Sequence, residues 1–288
     1  MNSLDIIIPA YNEEGSISET IRGIRDILGP DCRIIVVDDA SEDNTAAVVK
    51  ELGVKVIRHP YRLGNGASIK SGIRAATADL LLTMDADGQH SSKDIPKLID
   101  QSGKFDMVIG ARQFSRVSCR NFANKIYNLF ASYVTRFKIE DLTCGFRLVK
   151  RSIALKHLYL FPNGFSYPTT ITLSFLKTGR TIKYVPVATC ARAKGKSKIS
   201  LFQDGAKFFL IIIKIATFFS PLRVFIPVSF FFFASGSLYY MFTFFTQHRF
   251  TNMAVFLLSN AVLIFMLGLV SEQISQLKMD KTEGNGTD

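Results

Sequence analysis

Leu80-Leu81-Leu82-Thr83-Met84-Asp85-Ala86-Asp87-Gly88-Gln89-His90 is the run that decides the architecture. Residues 79–84 read as one short buried strand, closing on two carboxylates one residue apart. Working outward, the same grammar recurs. Residues 4–8 are an apolar run ended by Pro9, and 14–28 carry Ile17, Ile21, Ile24 and Leu28 at helical spacing before Gly29-Pro30. Residues 33–37 form a second strand ending at Asp38-Asp39, 43–52 a helix, and 54–57 a third strand. After the Gly64-Asn65-Gly66 turn, 67–76 read as a helix, as do 93–102, with further strands at 106–109 and 181–187. Strands alternating with helices of this length predict an α/β fold, a Rossmann-like, mostly parallel sheet covered on both faces.

In such sheets ligands bind beyond the carboxyl ends of the strands. Three strands here end in Asn12-Glu13, Asp38-Asp39 and Asp85-Ala86-Asp87. Asp and Asn also serve as helix caps and turn residues, but three such ends on one rim exceed what capping needs. Two carboxylates at a strand end suit a hard divalent cation and leave room for substrate phosphates. Gly64 and Gly66 do not make a GxGxxG, which disfavours a dinucleotide site. His90 reads as a turn residue or a support behind the carboxylates.

The chain has 288 residues, with 35 Lys and Arg against 24 Asp and Glu, a net charge of +11. That composition excludes a disordered, collagen-like or disulfide-scaffold protein. Cys32, Cys119, Cys144 and Cys190 form no CxxC pair, so neither a zinc site nor a disulfide framework is expected, and a reducing compartment is. The N-terminus lacks a basic region ahead of its apolar run and does not read as a secretory signal. The surplus of cations fits nucleic acid, acidic lipid or a phosphorylated substrate, and their placement must decide. Residues 111–139 hold six cations and no acid; residues 192–198 hold four cations, with Gly195 and Ser197 marking a mobile loop. Phe122, Ile126, Leu129, Tyr133 and Phe137 lie on one helical stripe across 122–137 and read as core packing.

After residue 200 the character changes. Between 200 and 220, Gln203, Asp204, Lys207 and Lys214 fall within an arc of about 100° and the rest is apolar, which predicts a helix in the membrane interface. Residues 224–247 contain no charge over 24 positions and 252–271 none over 20, each long enough to cross a bilayer core of about 30 Å. The short segment between them predicts a transmembrane hairpin over 222–275. Lys207, Lys214, Arg223, Lys278 and Lys281 flank one side against Arg249 in the turn, so the N-terminal domain and the tail are expected on the cytoplasmic side. The domains expected are thus 1–199, 200–220, 222–275 and a disordered tail over 276–288.

Ile8-Pro9-Ala10-Tyr11-Asn12-Glu13-Glu14, Val36-Val37-Asp38-Asp39-Ala40-Ser41, Gly64-Asn65-Gly66 and Met84 to His90 resemble the family-2 glycosyltransferases of GT-A fold. Asp141-Leu142-Thr143-Cys144-Gly145-Phe146-Arg147 and 192–198 narrow the resemblance to the dolichol-phosphate mannosyltransferase branch, which includes polyprenyl-phosphate glucosyltransferases with a membrane hairpin. Processive synthases of this family carry a QxxRW motif, and this chain has no Trp. The resemblance implies transfer of one hexose from a nucleotide sugar, GDP-mannose or UDP-glucose, to a polyprenyl phosphate, metal-dependent and inverting. It implies that Pro9, Tyr11, Glu13, Val36 and Asp38 line the nucleotide pocket. It also implies that Asp85, Ala86, Asp87 and Gln89 meet the donor diphosphate, with Asp85, Asp87 and Gln89 on Mg²⁺ or Mn²⁺. Arg112, Arg120 and Lys198 would take the acceptor phosphate, Arg192 and Lys198 the donor diphosphate, and Asp141 would orient sugar or acceptor. The partners expected are a nucleotide sugar, a polyprenyl lipid and the membrane, with no nucleic acid; a homo-oligomer through the hairpin is compatible, although Gly236 and Gly268 do not make a GxxxG interface. A diacylglycerol, glycan or protein acceptor, or a non-catalytic membrane scaffold, are the competing readings.

Overall fold

The computed structural model describes residues 3–112, 119–164, 167–188, 213 and 217–284. The chain divides into two compact units, Met1–Leu201 and Phe202–Asp288. In the first, the order is β1 (Leu4–Ala10), α1 (Ile17–Leu28), β2 (Arg33–Asp38), α2 (Thr45–Glu51), β3 (Lys55–Arg58), α3 (Asn65–Ala75), β4 (Leu80–Thr83) and α4 (Ile95–Ile99). There follow β5 (Met107–Arg112), α5 (Cys119–Thr135), β6 (Arg147–Lys150), α6 (Arg151–His157), α7 (Tyr167–Lys177) and β7 (Ile182–Val187). One sheet carries the strands as β3-β2-β1-β4-β6-β5-β7. The fold is GT-A-like, mostly parallel as expected.

The central strands are apolar on both faces because helices cover both: Ile6, Ile7 and Ile8 of β1, Ile35, Val36 and Val37 of β2 and Leu81 and Leu82 of β4 are all 0% exposed. Helix α1 buries Ile17, Ile21 and Ile24, the positions its periodicity marks. Neither β6 nor α6 and α7 were expected. Strand β6 runs antiparallel to both neighbours, with Arg147 opposite Thr83 on β4 and opposite Ile109 on β5. Its reversed direction is what matters for function. The parallel strands end at the rim, whereas β6 begins there, so residues 141–146 arrive at the same rim.

The stripe on α5 is a correction. Ile126, Leu129 and Tyr133 are 50%, 72% and 53% exposed, while Tyr127, Ala131 and Val134 are buried. Both faces of this helix carry apolar residues, and periodicity alone chose the outer one. The expected role of Phe122 as core falls outside the described side chains.

In the second unit, α8 (Pro221–Gln247) and α9 (Asn252–Gly284) form an antiparallel hairpin whose turn is closed by His248 donating to the Phe244 carbonyl at 3.0 Å. Both helices are long and apolar enough to cross a membrane. Small residues bring them together: Ala254 and Ala261 are buried, and the Ser229 hydroxyl donates to the Ala261 carbonyl at 2.7 Å. At the open end, Leu222 N–H donates to Glu272 Oε2 at 3.2 Å and Ser275 Oγ donates to the Phe218 carbonyl at 2.6 Å. Residues from 276, expected as a disordered tail, continue α9 as far as Gly284, since Gln276, Leu277, Lys278, Met279 and Lys281 are good helix formers and no Gly or Pro interrupts them before Gly284. The expected interfacial helix over 200–220 lies outside the described residues except at 213 and 217–220.

Candidate active site

The loops after β1 and β2 are laced together. Asn12 N–H donates to Ser41 Oγ at 2.9 Å, and Asn12 Oδ1 accepts from the Glu42 amide at 2.9 Å. Glu13 N–H donates to Thr45 Oγ1 at 2.9 Å, and the Asn44 amide donates to Glu14 Oε2 at 3.0 Å. Asn12 and Ala40 sit at φ 56° and 60°, the left-handed region that non-glycine residues adopt only when surroundings over-determine them. Each follows a strand end, so the strain is spent on turning the chain sharply at the rim.

Asp39, which the sequence marked as a strand end without a role, is a hub. It is 4% exposed and accepts from the Leu63 and Gly64 amides and from His59 Nδ1, all at 2.8 Å. Burial pushes its carboxyl upward, but the bonds from His59, Leu63 and Gly64 outweigh that and hold it below its ordinary value. His59 Nε2 meets Ser71 Oγ at 2.9 Å, so buried Asp39 and His59 and half-buried Ser71 form a relay that fixes the segment 59–64. Exposed Arg62, in that segment, lays its guanidinium 4.2 Å from the centre of the Tyr11 ring. The amides at the start of α3 are already taken: Gly66 and Ala67 donate to the carbonyls of Gly164 and Asn163 at 3.2 and 3.0 Å. A Cβ on Gly66 would stand 2.1 Å from the Pro162 carbonyl oxygen, so the glycine is required by that close approach and not by a phosphate.

At the end of β4, Asp85 and Asp87 are half-buried and Ala86 is buried. Asp87 Oδ1 accepts from the Gln89 amide at 3.1 Å, an Asx-type turn that reverses the chain. His90, buried, stacks on Phe146 with ring centroids 5.3 Å apart and presents Nε2 3.4 Å from Asp85 Oδ2. A Cβ on Gly145 would lie 2.8 Å from the same carboxylate oxygen, so the Gly145 backbone forms a cradle against Asp85. Among the described residues no three His, Cys, Asp or Glu side chains gather as metal ligands. Two partly exposed carboxylates of a short turn nevertheless fit a hard cation that completes its shell with water and substrate phosphate.

Opposite stands Arg112 at the end of β5. Its Nε and Nη2 bind Asp141 Oδ2 and Oδ1 at 2.7 and 2.9 Å, a two-pronged pair 13% and 2% exposed, and Nη2 also donates to Thr143 Oγ1 at 2.6 Å. Burial works against the Arg112 charge, but the Asp141 carboxylate more than compensates and keeps its pKa above the ordinary value. Arg147 is 0% exposed. It donates to the carbonyls of Cys144 at 2.7 Å and Leu142 at 3.0 Å and to Thr172 Oγ1 at 2.6 Å. No carboxylate among the described residues lies within ion-pair distance of it. Thr83 Oγ1 donates to the Gly145 carbonyl at 2.7 Å and contacts Tyr167 Oη at 3.1 Å. Arg147 and Thr83 therefore pin the loop 141–146 from below. Burial pushes the Cys144 thiol up to about 12, so it stays neutral.

The sequence-marked residues thus fall into three sets. Tyr11, Glu13, Asp85, Asp87 and Gln89 are partly exposed at the rim, whereas Pro9, Val36, Asp38 and Ala86 are buried beneath it. Val36 lies two residues short of the strand end, and Asp38, 0% exposed, accepts from the Ser41 amide at 3.1 Å and lies 3.2 Å from Arg58 Nε. Arg112 and Asp141 come together as one ion pair. The third set lies outside the described residues: Arg192, Lys198 and the side chain of Arg120. Sequence reasoning assigned no role to Asp39, His59, Arg62, Gly145 or Arg147; Asp39 carried a signal as the second carboxylate of a strand-end pair, and Gly145 and Arg147 carried one only as members of the 141–147 motif.

The family model described as glycosyl transferase family 2 matches residues 5–158, and one described as the GtrB C-terminal hairpin matches 220–277. The chain is 28% identical over 212 residues to an undecaprenyl-phosphate mannosyltransferase of Micrococcus luteus, covering 67% of this chain and 86% of that protein. It is 33% identical over 213 residues to a dolichol-phosphate mannosyltransferase of Pyrococcus furiosus, covering 68% and 59%. The fold superimposes on glucosyl-3-phosphoglycerate synthase of Mycobacterium tuberculosis, solved with Mn²⁺, UDP and glucosyl-3-phosphoglycerate, with a TM-score of 0.62 at 18% identity over 75% of this chain and 80% of that one.

Proposed function

Because the chain belongs to glycosyl transferase family 2, we propose that this glycosyltransferase moves a single hexose from a nucleotide sugar, GDP-mannose or UDP-glucose, to a polyprenyl phosphate at the cytoplasmic face of a membrane. The observation that carries the reading is the meeting, on one rim, of the Asp85 carboxylate with the loop that holds Arg112 and Asp141. The names of the relatives support a polyprenyl-phosphate acceptor, dolichyl or undecaprenyl, and the two apolar helices support a membrane location.

On this reading the nucleotide lies over Tyr11 and Glu13, with buried Pro9, Val36, Asp38 and Ala86 as the floor beneath. Asp85, Asp87 and Gln89 would hold Mg²⁺ or Mn²⁺, which when bound neutralises the diphosphate as it leaves. A lipid monophosphate is already an anionic nucleophile near neutral pH, so the chain needs no general base. Its task is to bring two anions together, by charge and by position. Arg112, held by Asp141, faces the acceptor phosphate together with Arg120 and Lys198, while Arg192 and Lys198 steady the diphosphate. One direct displacement inverts the anomeric centre.

Radiolabelled nucleotide sugar incubated with the full-length protein in vesicles should label polyprenyl phosphate and not diacylglycerol or protein. Asp87→Ala should lower that transfer by roughly 10²–10³-fold without loss of folded protein. Label recovered in diacylglycerol alone, or an Asp87→Ala enzyme of near wild-type turnover, would overturn the proposal.

A further inference from the structure

The loop 141–146 carries an amide that nothing in the fold uses. Arg147, fully buried behind the loop, takes two of its carbonyls: Nη2 donates to the Leu142 carbonyl at 3.0 Å and Nε to the Cys144 carbonyl at 2.7 Å. The described residues contain no cis peptide, and in a trans peptide the N–H points opposite to the carbonyl. A carbonyl turned in to Arg147 therefore turns the following amide away from it. Thr143 shows this directly. Its amide follows the Leu142 carbonyl and donates to Asp141 Oδ1 at 3.2 Å, on the side of Arg112. The Gly145 amide follows the Cys144 carbonyl and is turned away from Arg147 in the same manner. Among the described residues no backbone or side-chain oxygen accepts it. Gly145 is half-buried, and a half-buried amide calls for a partner. No side chain shades it, because Asp85 fills the place of a Cβ, its Oδ2 standing 2.8 Å from that position. The next carbonyl, that of Gly145 itself, accepts from Thr83 Oγ1 at 2.7 Å, and Tyr167 Oη backs that hydroxyl at 3.1 Å. The peptides on both sides of the amide are thus held by the fold alone.

We propose that the Gly145 amide is a binding group for a phosphoryl oxygen, aimed at its ligand by Arg147. The inference rests on the reading of the protein as a transferase that brings two phosphate-bearing substrates together, and deepens it. The amide lies beside Asp85, whose carboxylate in turn acts on the charge of Arg112. An N–H fixed in advance needs no reorganisation when an anion arrives, which is what makes such donors effective. Arg147 does not touch the ligand and is a positioning residue. No carboxylate among the described residues neutralises it at close range, so its charge polarises the Cys144 carbonyl and strengthens the donor at the other end of the same peptide. Both substrates offer the required oxygen, the nucleotide in its diphosphate and the lipid in its monophosphate.

Cys144-Gly145 is the sole Cys-Gly pair in the sequence, which supplies the probe. Full-length protein made with ¹³C-carbonyl cysteine and ¹⁵N-glycine gives one amide signal coupled to both labels, that of Gly145. UDP or GDP with Mg²⁺, and separately polyprenyl phosphate, would be added to it. The amide proton should move downfield with one of the two classes, and that class supplies the phosphate. Replacing Gly145 by glycolic acid puts an ester oxygen where the N–H was. It should lower kcat/KM for the same substrate about ten-fold to a hundred-fold, with the KM for the other substrate unchanged. Arg147→Lys, which keeps the charge but lacks the fork that spans both carbonyls, should show the same split. A signal indifferent to both classes, in protein that still transfers label to polyprenyl phosphate, would mean that water alone meets the amide. That would overturn the inference and leave the proposed function intact, as would an ester enzyme with wild-type kcat/KM for both substrates. If neither class of ligand binds and no label is transferred, both readings fall.

Discussion

At the ends of β1 and β2 the loops are held by many modest bonds, hydroxyls and carboxylates each taking one or two amides, with Ser41, Thr45, Asp38 and Asp39 buried among the acceptors. At the ends of β4 and β5 the corresponding loop is held by two arginines, Arg147 with 0% and Arg112 with 13% of the side chain exposed. The first arrangement spreads its stability over neighbours that can substitute for one another. The second concentrates it in charged groups removed from water, where each donor is matched to one acceptor and a loss is not made good. Single substitutions should therefore register weakly on the side of β1 and β2 and strongly on the side of Asp141.

The hardest test of that contrast is Arg147→Met, which keeps the bulk and removes the donors. It leaves the Leu142 and Cys144 carbonyls buried without partners, and should cost about 3 kcal/mol, read as a fall of about 6–12 °C in the melting temperature. A stability equal to wild type would show that the loop is held by something other than its arginine. Gly145→Ala comes next and separates position from stability. The residue lies outside the positive-φ region, so alanine is allowed there, but its Cβ would meet the Asp85 carboxylate at 2.8 Å. Transfer should fall by up to about 10²-fold, the scale of a one-ångström misplacement, while the melting temperature holds. Full activity would mean the carboxylate moves aside without consequence.

On the side of β1 and β2, Ser41→Ala removes one acceptor from the Asn12 amide and should cost about 1 kcal/mol, with transfer within a few-fold of wild type. A collapse of activity would erase the contrast. The smallest effect is a dependence on pH. Asp39 has its folded-state pKa below the ordinary 3.8, so its contribution is present above that value and is lost as pH falls through the lower, folded one. Chemical denaturation of wild type and Asp39→Asn should therefore differ most near neutrality and converge in strong acid; curves that stay parallel would remove Asp39 from the account.

The same contrast explains what was legible. The β–α alternation, the strand-end carboxylates and the paired apolar helices are written in short-range patterns that a run of ten residues contains. Strand β6 is not, because Arg147-Leu148-Val149-Lys150 is four residues long with a charge at each end. Arg147 sits in a motif, yet arginine is a surface residue by default and nothing local announces that this one is buried. The stripe on α5 was visible, but a helix with apolar residues on both faces does not say which face the protein covers. The link from Asp39 through His59 to Ser71 joins residues up to 32 apart, and only the fold brings them together.

The contacts between Leu222 and Glu272 and between Phe218 and Ser275 also set a clock. A ribosome adding about 5–20 residues per second takes roughly 3–10 s to go from the first helix of the hairpin to the carboxylate that closes it. Throughout that interval the start of α8 lacks its Glu272 acceptor and depends on water or the insertion machinery for one. The hairpin is in this sense a unit of biosynthesis: the first span is finished only when the second has returned. A chain stopped just short of Glu272 would possess both apolar stretches and still present an unfinished helix to the membrane.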